Sequence, residues 1–269
     1  MKTAFPIFVL RRQAKELKKS RGIPLSEALD EIAQREGFRS WSLLMSKRRA
    51  VYPTQYSETL GFLNPGDLVL VGARPGMGKT SFSIGMFVQA IEEKRPKGFF
   101  FTLAMTAPEL TERISRYNER VRGDDEVYRL DDSNDICADY IISKAKGRVA
   151  PGSLIVVDYL QLLSEKRVNP PLQEQVEQLK RFALESGCIL VFICQLDRRL
   201  ESRSDPRPTV GDIRLPNPLD LGLFNKIILL YREASTPEEV EVSFAGRFDH
   251  EFRAGLNVPE TRFFDSGSN

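Results

Sequence analysis

The run Gly72-Ala73-Arg74-Pro75-Gly76-Met77-Gly78-Lys79-Thr80 constrains the fold more than any other stretch of the chain. It follows a short apolar segment, Leu68 to Val71, and opens a segment with helical spacing, Ser81 to Ile91. A strand, a glycine-rich turn and a helix in that order make a phosphate cradle. Successive backbone N–H groups curl around an anion at the positive end of a helix, and Gly76 and Gly78 let the backbone come close to it. In that frame Lys79 neutralises the β- and γ-phosphates of a nucleotide, and the Thr80 hydroxyl holds Mg²⁺. The strict pattern begins with glycine where this chain has Ala73, and Gly72 stands one place early. The Gly-Lys-Thr core is intact, so residues Ala73 to Ser81 are expected to bind nucleotide.

Around this loop, apolar runs suited to buried parallel strands occur at 68–71, 98–103, 153–158, 188–194 and 226–231. Helical stretches lie between them at 79–94, 107–122, 136–146 and 171–187. The alternation predicts an α/β fold over residues 67–269, a mainly parallel sheet flanked by helices. From about 239 the pattern changes. Residues 239–245 alternate as a strand does, and 246–264 are rich in Phe, Arg and Gly, which predicts antiparallel strands or an extended arm. Residues 51–66, with Pro53 and the turn Asn64-Pro65-Gly66, read as a linker.

Residues 1–50 read as a small basic helical module. Helices are predicted over 7–21 and about 26–36, ended by Arg21-Gly22 and by Gly37, with a short third helix starting at Ser40-Trp41. Trp41 is expected to pack inside this module. Charge is uneven along the chain: residues 1–50 hold 12 Lys/Arg against 5 Asp/Glu, while the whole chain of 269 residues nets only +2. A basic appendage on a mildly acidic body points to nucleic acid or to an acidic partner, or to a solvated helical face. No apolar run approaches the roughly 18 residues that a membrane-spanning helix needs, and no signal peptide is legible. Cys137, Cys188 and Cys194 have neither metal-ligand spacing nor an even count, so reduced thiols in a cytoplasmic protein are expected.

Two more strand ends carry candidate chemistry. Leu154 to Val157 runs into Asp158, and an acid at the tip of a strand near a phosphate loop is placed to hold magnesium. The run Ile189 to Cys194 ends in Gln195, whose amide is a candidate sensor of the γ-phosphate. Taken together, Ala73 through Thr80, Leu154 through Leu163 and Gln195-Leu196-Asp197-Arg198-Arg199-Leu200-Glu201 resemble the DnaB family of replicative DNA helicases, in its RecA-like motor domain. Arg207-Pro208 followed by Asp212-Ile213-Arg214 is similar to that family's R-P then D-L-R. The resemblance spans about residues 60–232. A small basic helical module joined to such a motor resembles a group of short DnaB-like proteins of alphaproteobacteria.

The resemblance implies a RecA-like sheet, ATP with Mg²⁺ as cofactors, a homo-oligomeric ring (a hexamer in the family) and nucleotide held between neighbours. It implies that Asp212 to Leu221 faces a central channel, where Arg214 would contact the phosphates of single-stranded DNA. Three departures bear on activity. The family's S/T-L-E-M, whose glutamate activates the attacking water, is Thr102-Leu103-Ala104-Met105 here, so hydrolysis should be strongly impaired while binding survives. Two origins fit Ala104: a natural binding-only member, or a Glu→Ala exchange that traps ATP, which the intact surroundings favour. Glu109, in the next helix, is the nearby substitute base and reads as a surface residue. The family's trans-acting basic motif is replaced by Gly246-Arg247-Phe248-Asp249-His250, so Arg247 is the first candidate for an arginine finger and Arg253 the second. His250 reads as a solvated loop residue. Leu215-Pro216-Asn217-Pro218-Leu219-Asp220-Leu221 stiffens the DNA-facing loop with two prolines. The leading expectation is a ring-forming ATPase acting on DNA as a helicase or translocase. The alternative is a regulatory ATP-binding protein whose nucleotide state controls assembly or partner binding.

Overall fold

The computed structural model describes residues 7–47, 52–119, 121, 126–164, 169–213, 215, 217–245 and 250–266. They form two compact units divided between Tyr52 and Pro53.

The first unit holds three helices, α1 (Ile7–Arg21), α2 (Leu25–Arg35) and α3 (Trp41–Lys47). Their apolar positions recur at three- and four-residue spacing and meet in one core: Leu10 and Ala14 of α1, Ala28, Ile32 and Ala33 of α2, then Phe38 and Leu44. Leu17, Leu29 and Trp41 pack against it, as the sequence suggests for the tryptophan. The start of α3 is capped from two sides. The Asp30 carboxylate accepts the Trp41 N–H at 2.7 Å and the Ser40 hydroxyl accepts the Leu43 N–H at 3.2 Å, satisfying donors that a helix start leaves open.

The second unit is built on a nine-stranded sheet. Its strands are β1 (Leu68–Ala73), β2 (Gly98–Thr102), β3 (Tyr128–Asp131), β4 (Leu154–Asp158), β5 (Ile189–Gln195), β6 (Lys226–Tyr231), β7 (Glu239–Ala245), β8 (His250–Asn257) and β9 (Arg262–Asp265). They lie in the order β3-β2-β4-β5-β1-β6-β7-β8-β9. All pairings from β3 to β6 are parallel, and those from β6 to β9 are antiparallel. The helices are α4 (Thr59–Phe62), α5 (Lys79–Glu92), α6 (Ala107–Tyr117), α7 (Ala138–Ala145) and α8 (Leu172–Ser186).

Because side chains alternate across a strand, each central strand feeds two cores. Leu68, Leu70, Phe99, Phe101, Ile155, Val157, Leu190 and Phe192 pack with Ile141 of α7 and Val176, Leu179 and Ala183 of α8. On α5, Phe87 meets Phe100 and Tyr128 edge-on, with ring centroids 5.5 and 5.9 Å apart. Burial on both faces explains why β1, β4 and β5 read as unbroken apolar runs.

Several expectations shift. The helix expected to reach 122 stops at Tyr117, where Asn118 turns extended. Strand β3 was not foreseen: it is four residues long, lies at the sheet edge and contains Arg129 and Asp131. In the stretch read as a linker, Pro53 onward belongs to the second unit. Tyr56 is buried there and donates its hydroxyl proton to the Phe82 carbonyl at 2.9 Å, and Thr59 and Leu60 are fully buried. After 239 the chain makes antiparallel strands, the first of the two options. His250 opens β8 half-buried, its Nε2 3.0 Å from the Pro53 carbonyl oxygen, so it is not a solvated loop residue.

Candidate nucleotide-binding site

The carboxyl ends of parallel strands are where an open α/β sheet leaves room for ligands, and the sequence motifs converge there. Strand β1 delivers Ala73, fully buried, to the carboxyl end of the sheet beside Gln195 of β5. Arg74 then pairs with Glu201 at 2.9 Å, and the Met77 N–H reaches back to the Arg74 carbonyl at 3.3 Å. Pro75 and Met77 are part of this turn. Gly76 and Gly78 take φ of 77° and 89°, a region in which a side chain would be strained. Gly78 caps α5, so Lys79, Thr80 and Ser81 form its first turn, where unbonded N–H groups and the helix dipole favour an anion.

Asp158, at the end of β4, is buried, and its Oδ2 accepts the Thr80 hydroxyl at 3.1 Å. Neighbouring ligands of an octahedral Mg²⁺ at ~2.1 Å stand about 3 Å apart, so this oxygen pair fits the ion. Burial raises the Asp158 carboxyl above its usual range, against the opposing pull of Thr80, Lys79 and Arg113. Burial lowers the Lys79 ammonium, with Asp158 and Cys194 opposing. Both shifts mark a site that gathers charge without enough solvent to screen it.

The loop opens into a cleft of 270 Å³ lined by Gly76, Gly78, Lys79, Thr80 and Ser81. Its other wall was missed from the sequence: Arg113 of α6, Arg232 just after β6, and Leu256, Val258 and Thr261 around the β8–β9 turn. Arg232 donates to the Gly76 carbonyl at 2.9 Å and so touches the loop directly. A cation one residue past an apolar strand was the one readable signal; the hairpin residues carried none.

Ala104 follows β2 and is exposed, two places beyond Thr102, which pairs with Asp158 in the sheet register. The position therefore borders the site, and it has no carboxylate. Glu109 does not replace one. Its side chain accepts the Thr106 N–H at 2.8 Å and the Thr106 hydroxyl at 2.9 Å in a capping box, bonds that hold it below the usual carboxylate range. Gln195 lies exposed at the tip of β5. Arg253 sits on β8, paired with Glu239 at 3.0 Å. Arg247 and Arg214 lie outside the described residues. Asp212, two residues before Arg214 in the sequence, is taken up locally, accepting the Thr209 N–H at 2.8 Å and pairing with Arg203 at 2.9 Å. The three cysteines are free thiols, and burial raises Cys188 to about 11 and Cys194 to about 12.

Residues 54–125 and 124–246 match the family described as the DnaB-like helicase C terminal domain. The chain is 30% identical over 220 residues to the replicative DNA helicase DnaB of Helicobacter pylori, covering 71% of this chain and 44% of that protein. It is 28% identical over 218 residues to the Rickettsia bellii replicative helicase, covering 66% and 43%. The chain thus spans less than half the length of these relatives. Among solved structures, a DnaB-like replicative helicase, described together with its interactions with primase, superposes with a TM-score of 0.66 at 21% identity, covering 95% of this chain and 74% of that one. A KaiC-like protein of Pyrococcus horikoshii superposes at 0.54 and 16% identity, covering 75% and 89%. These likenesses give the fold as RecA-like.

Proposed function

The chain belongs to the DnaB-like helicase C-terminal domain family, and from that premise we propose a ring-forming ATPase that binds Mg-ATP between subunits and acts on DNA as a helicase or translocase. One observation carries the nucleotide part: the Thr80 hydroxyl on the Asp158 carboxylate at 3.1 Å, beside a phosphate loop that ends in Lys79. Thr80 and Asp158 would hold Mg²⁺, and Lys79 with the α5 N-terminus would hold the β- and γ-phosphates. When bound, the ion neutralises charge on the phosphates. Arg113 and Arg232 add positive charge to the same cleft, and Leu256 and Val258 offer an apolar wall for the rest of the nucleotide. Gln195 would sense the γ-phosphate, Arg247 of one subunit would reach its neighbour's nucleotide, and Arg214 would contact single-stranded DNA.

Ala104 makes the hydrolytic step slow in this reading, since a methyl group neither takes a proton nor orients water. The same residue favours a second reading, a regulatory protein that switches assembly on nucleotide binding without unwinding. Titration calorimetry tests the shared premise. Mg-ATP should bind at one site per chain, and Lys79→Ala should weaken it roughly 10- to 100-fold, the worth of a hydrogen bond to a charged group. No heat of binding would remove both readings. Single-stranded DNA binding that requires ATP separates them in favour of the helicase.

A further inference from the structure

We propose that the face of α1 carrying Lys15, Lys18 and Lys19 is a nucleic-acid contact of the first unit, one that takes the phosphate backbone without regard to base sequence. This unit lies outside the residues that match the helicase family, so nothing said of the motor assigns it a role.

The helix α1 holds six basic residues against one acid, Glu16. Its core stripe is Leu10 and Ala14, flanked by Leu17, and Lys15, Lys18 and Lys19 stand exposed off that stripe. They follow i, i+3, i+4 spacing, which puts them on one helix face and spreads them over about 6 Å of axis, on the scale of the ~3.4 Å advance per phosphate along a strand. Two of the three carboxylates of α2 are committed elsewhere. Asp30 caps Trp41, and Glu31 bridges Arg21 and Arg35, both at 2.9 Å. Glu27 sits in the first turn of α2, where the helix dipole holds a negative charge. Among the described residues, no ion pair involves Lys15, Lys18, Lys19 or the exposed Arg39.

Chemistry separates a polynucleotide from an acidic protein as the occupant. Stable protein interfaces centre on buried aromatic or aliphatic anchors. Among the residues of this unit whose exposure is described, which on α1 are Leu10 and 13–21, only Leu25 is a large exposed hydrophobic. Lysines are point charges suited to phosphate rather than to bidentate reading of bases. Phosphate contacts need no apolar anchor, because release of condensed counterions drives them.

The experiment uses the full chain without nucleotide, labelled single-stranded and duplex DNA of one sequence, and anisotropy across a salt series. The parent should bind both with a steep salt slope. Changing Lys15→Ala, Lys18→Ala and Lys19→Ala together should lower the slope by roughly 2–3 units, at about 0.9 per duplex phosphate and 0.7 per single-strand phosphate. The triple change to Arg should keep it. Trp41 is the single tryptophan and packs against this unit's core, so unchanged emission shows that the variant stays folded. An unchanged slope in the Ala variant, no binding by the parent at low salt, or equally tight binding to polyglutamate would overturn the proposal. Lys79→Ala should leave this binding intact. Absence of Mg-ATP uptake by the parent chain, with this DNA binding retained, would sink the motor reading alone.

Discussion

Lys79 and Asp158 meet as two partly opposed costs. Burial raises the Asp158 carboxyl, so the folded chain holds a proton the unfolded chain has released, and stability falls as pH rises through that interval. Burial lowers Lys79, so its cost is present below the lowered value and is relieved as pH rises through it. Above the raised Asp158 value and below the lowered Lys79 value, both groups carry charge that the fold by itself solvates poorly. Asp158→Asn keeps an oxygen for the Thr80 hydroxyl and removes one of these charges. The ligand-free variant should therefore melt higher, by roughly 2–4 °C for each kcal/mol relieved, and the gap should close as pH falls through the raised Asp158 value. The variant should also lose the magnesium-dependent part of nucleotide stabilisation, read by thermal shift with and without the ion. Ala104 gives the complementary test. A general base contributes about 10²- to 10⁴-fold, so Ala104→Glu should raise ATP turnover within that range. No gain would count against the assigned site, since Glu109 is tied into its capping box and is not available as a substitute.

At the scale of elements, α5 is held by parts far from it in sequence. Tyr56, ahead of the sheet, bonds the Phe82 carbonyl; Tyr117, at the end of α6, bonds the Ser81 carbonyl at 2.6 Å and accepts the Phe263 N–H at 3.0 Å. These bonds join the phosphate-loop helix to the β8–β9 hairpin that lines the cleft. Gly85 makes the fit possible, because a Cβ there would lie 2.0 Å from the Tyr56 hydroxyl and 2.7 Å from the Tyr117 ring. Helix propensity alone would favour alanine by up to about 1 kcal/mol, whereas overpacking a filled core costs about 1–3 kcal/mol. Gly85→Ala should therefore lower the melting midpoint, and Tyr56→Phe on top of it should recover part of the loss. A gain in stability from Gly85→Ala would contradict this packing. The sequence showed α5 clearly but not its ties, since Tyr56 fell in a stretch that looked like a linker.

For the whole molecule, the proposal rests on assembly, because nucleotide shared between subunits needs a second copy. Mass measurement should show larger, closed particles with Mg-ATP than without nucleotide. Made on Ala104→Glu, Arg247→Ala should keep ATP binding and lower turnover in those particles; unchanged turnover would remove Arg247 from the site. No helix among the described residues is long and apolar enough to cross a membrane.

Features that depend on neighbours along the chain were legible in the residues. The phosphate loop is one continuous turn between β1 and α5, and Asp158 and Gln195 end apolar runs long enough to name as strands. Strand β3 was not legible, because four residues that include an arginine and an aspartate make no apolar run long enough to recognise as a strand. The opposite wall of the cleft was hidden for a different reason. Arg113, Arg232 and the 256–261 turn come from three distant segments, brought beside Lys79 only by the order in which the strands pair. Short-range pattern decided what could bind a phosphate; long-range strand pairing decided what surrounds it.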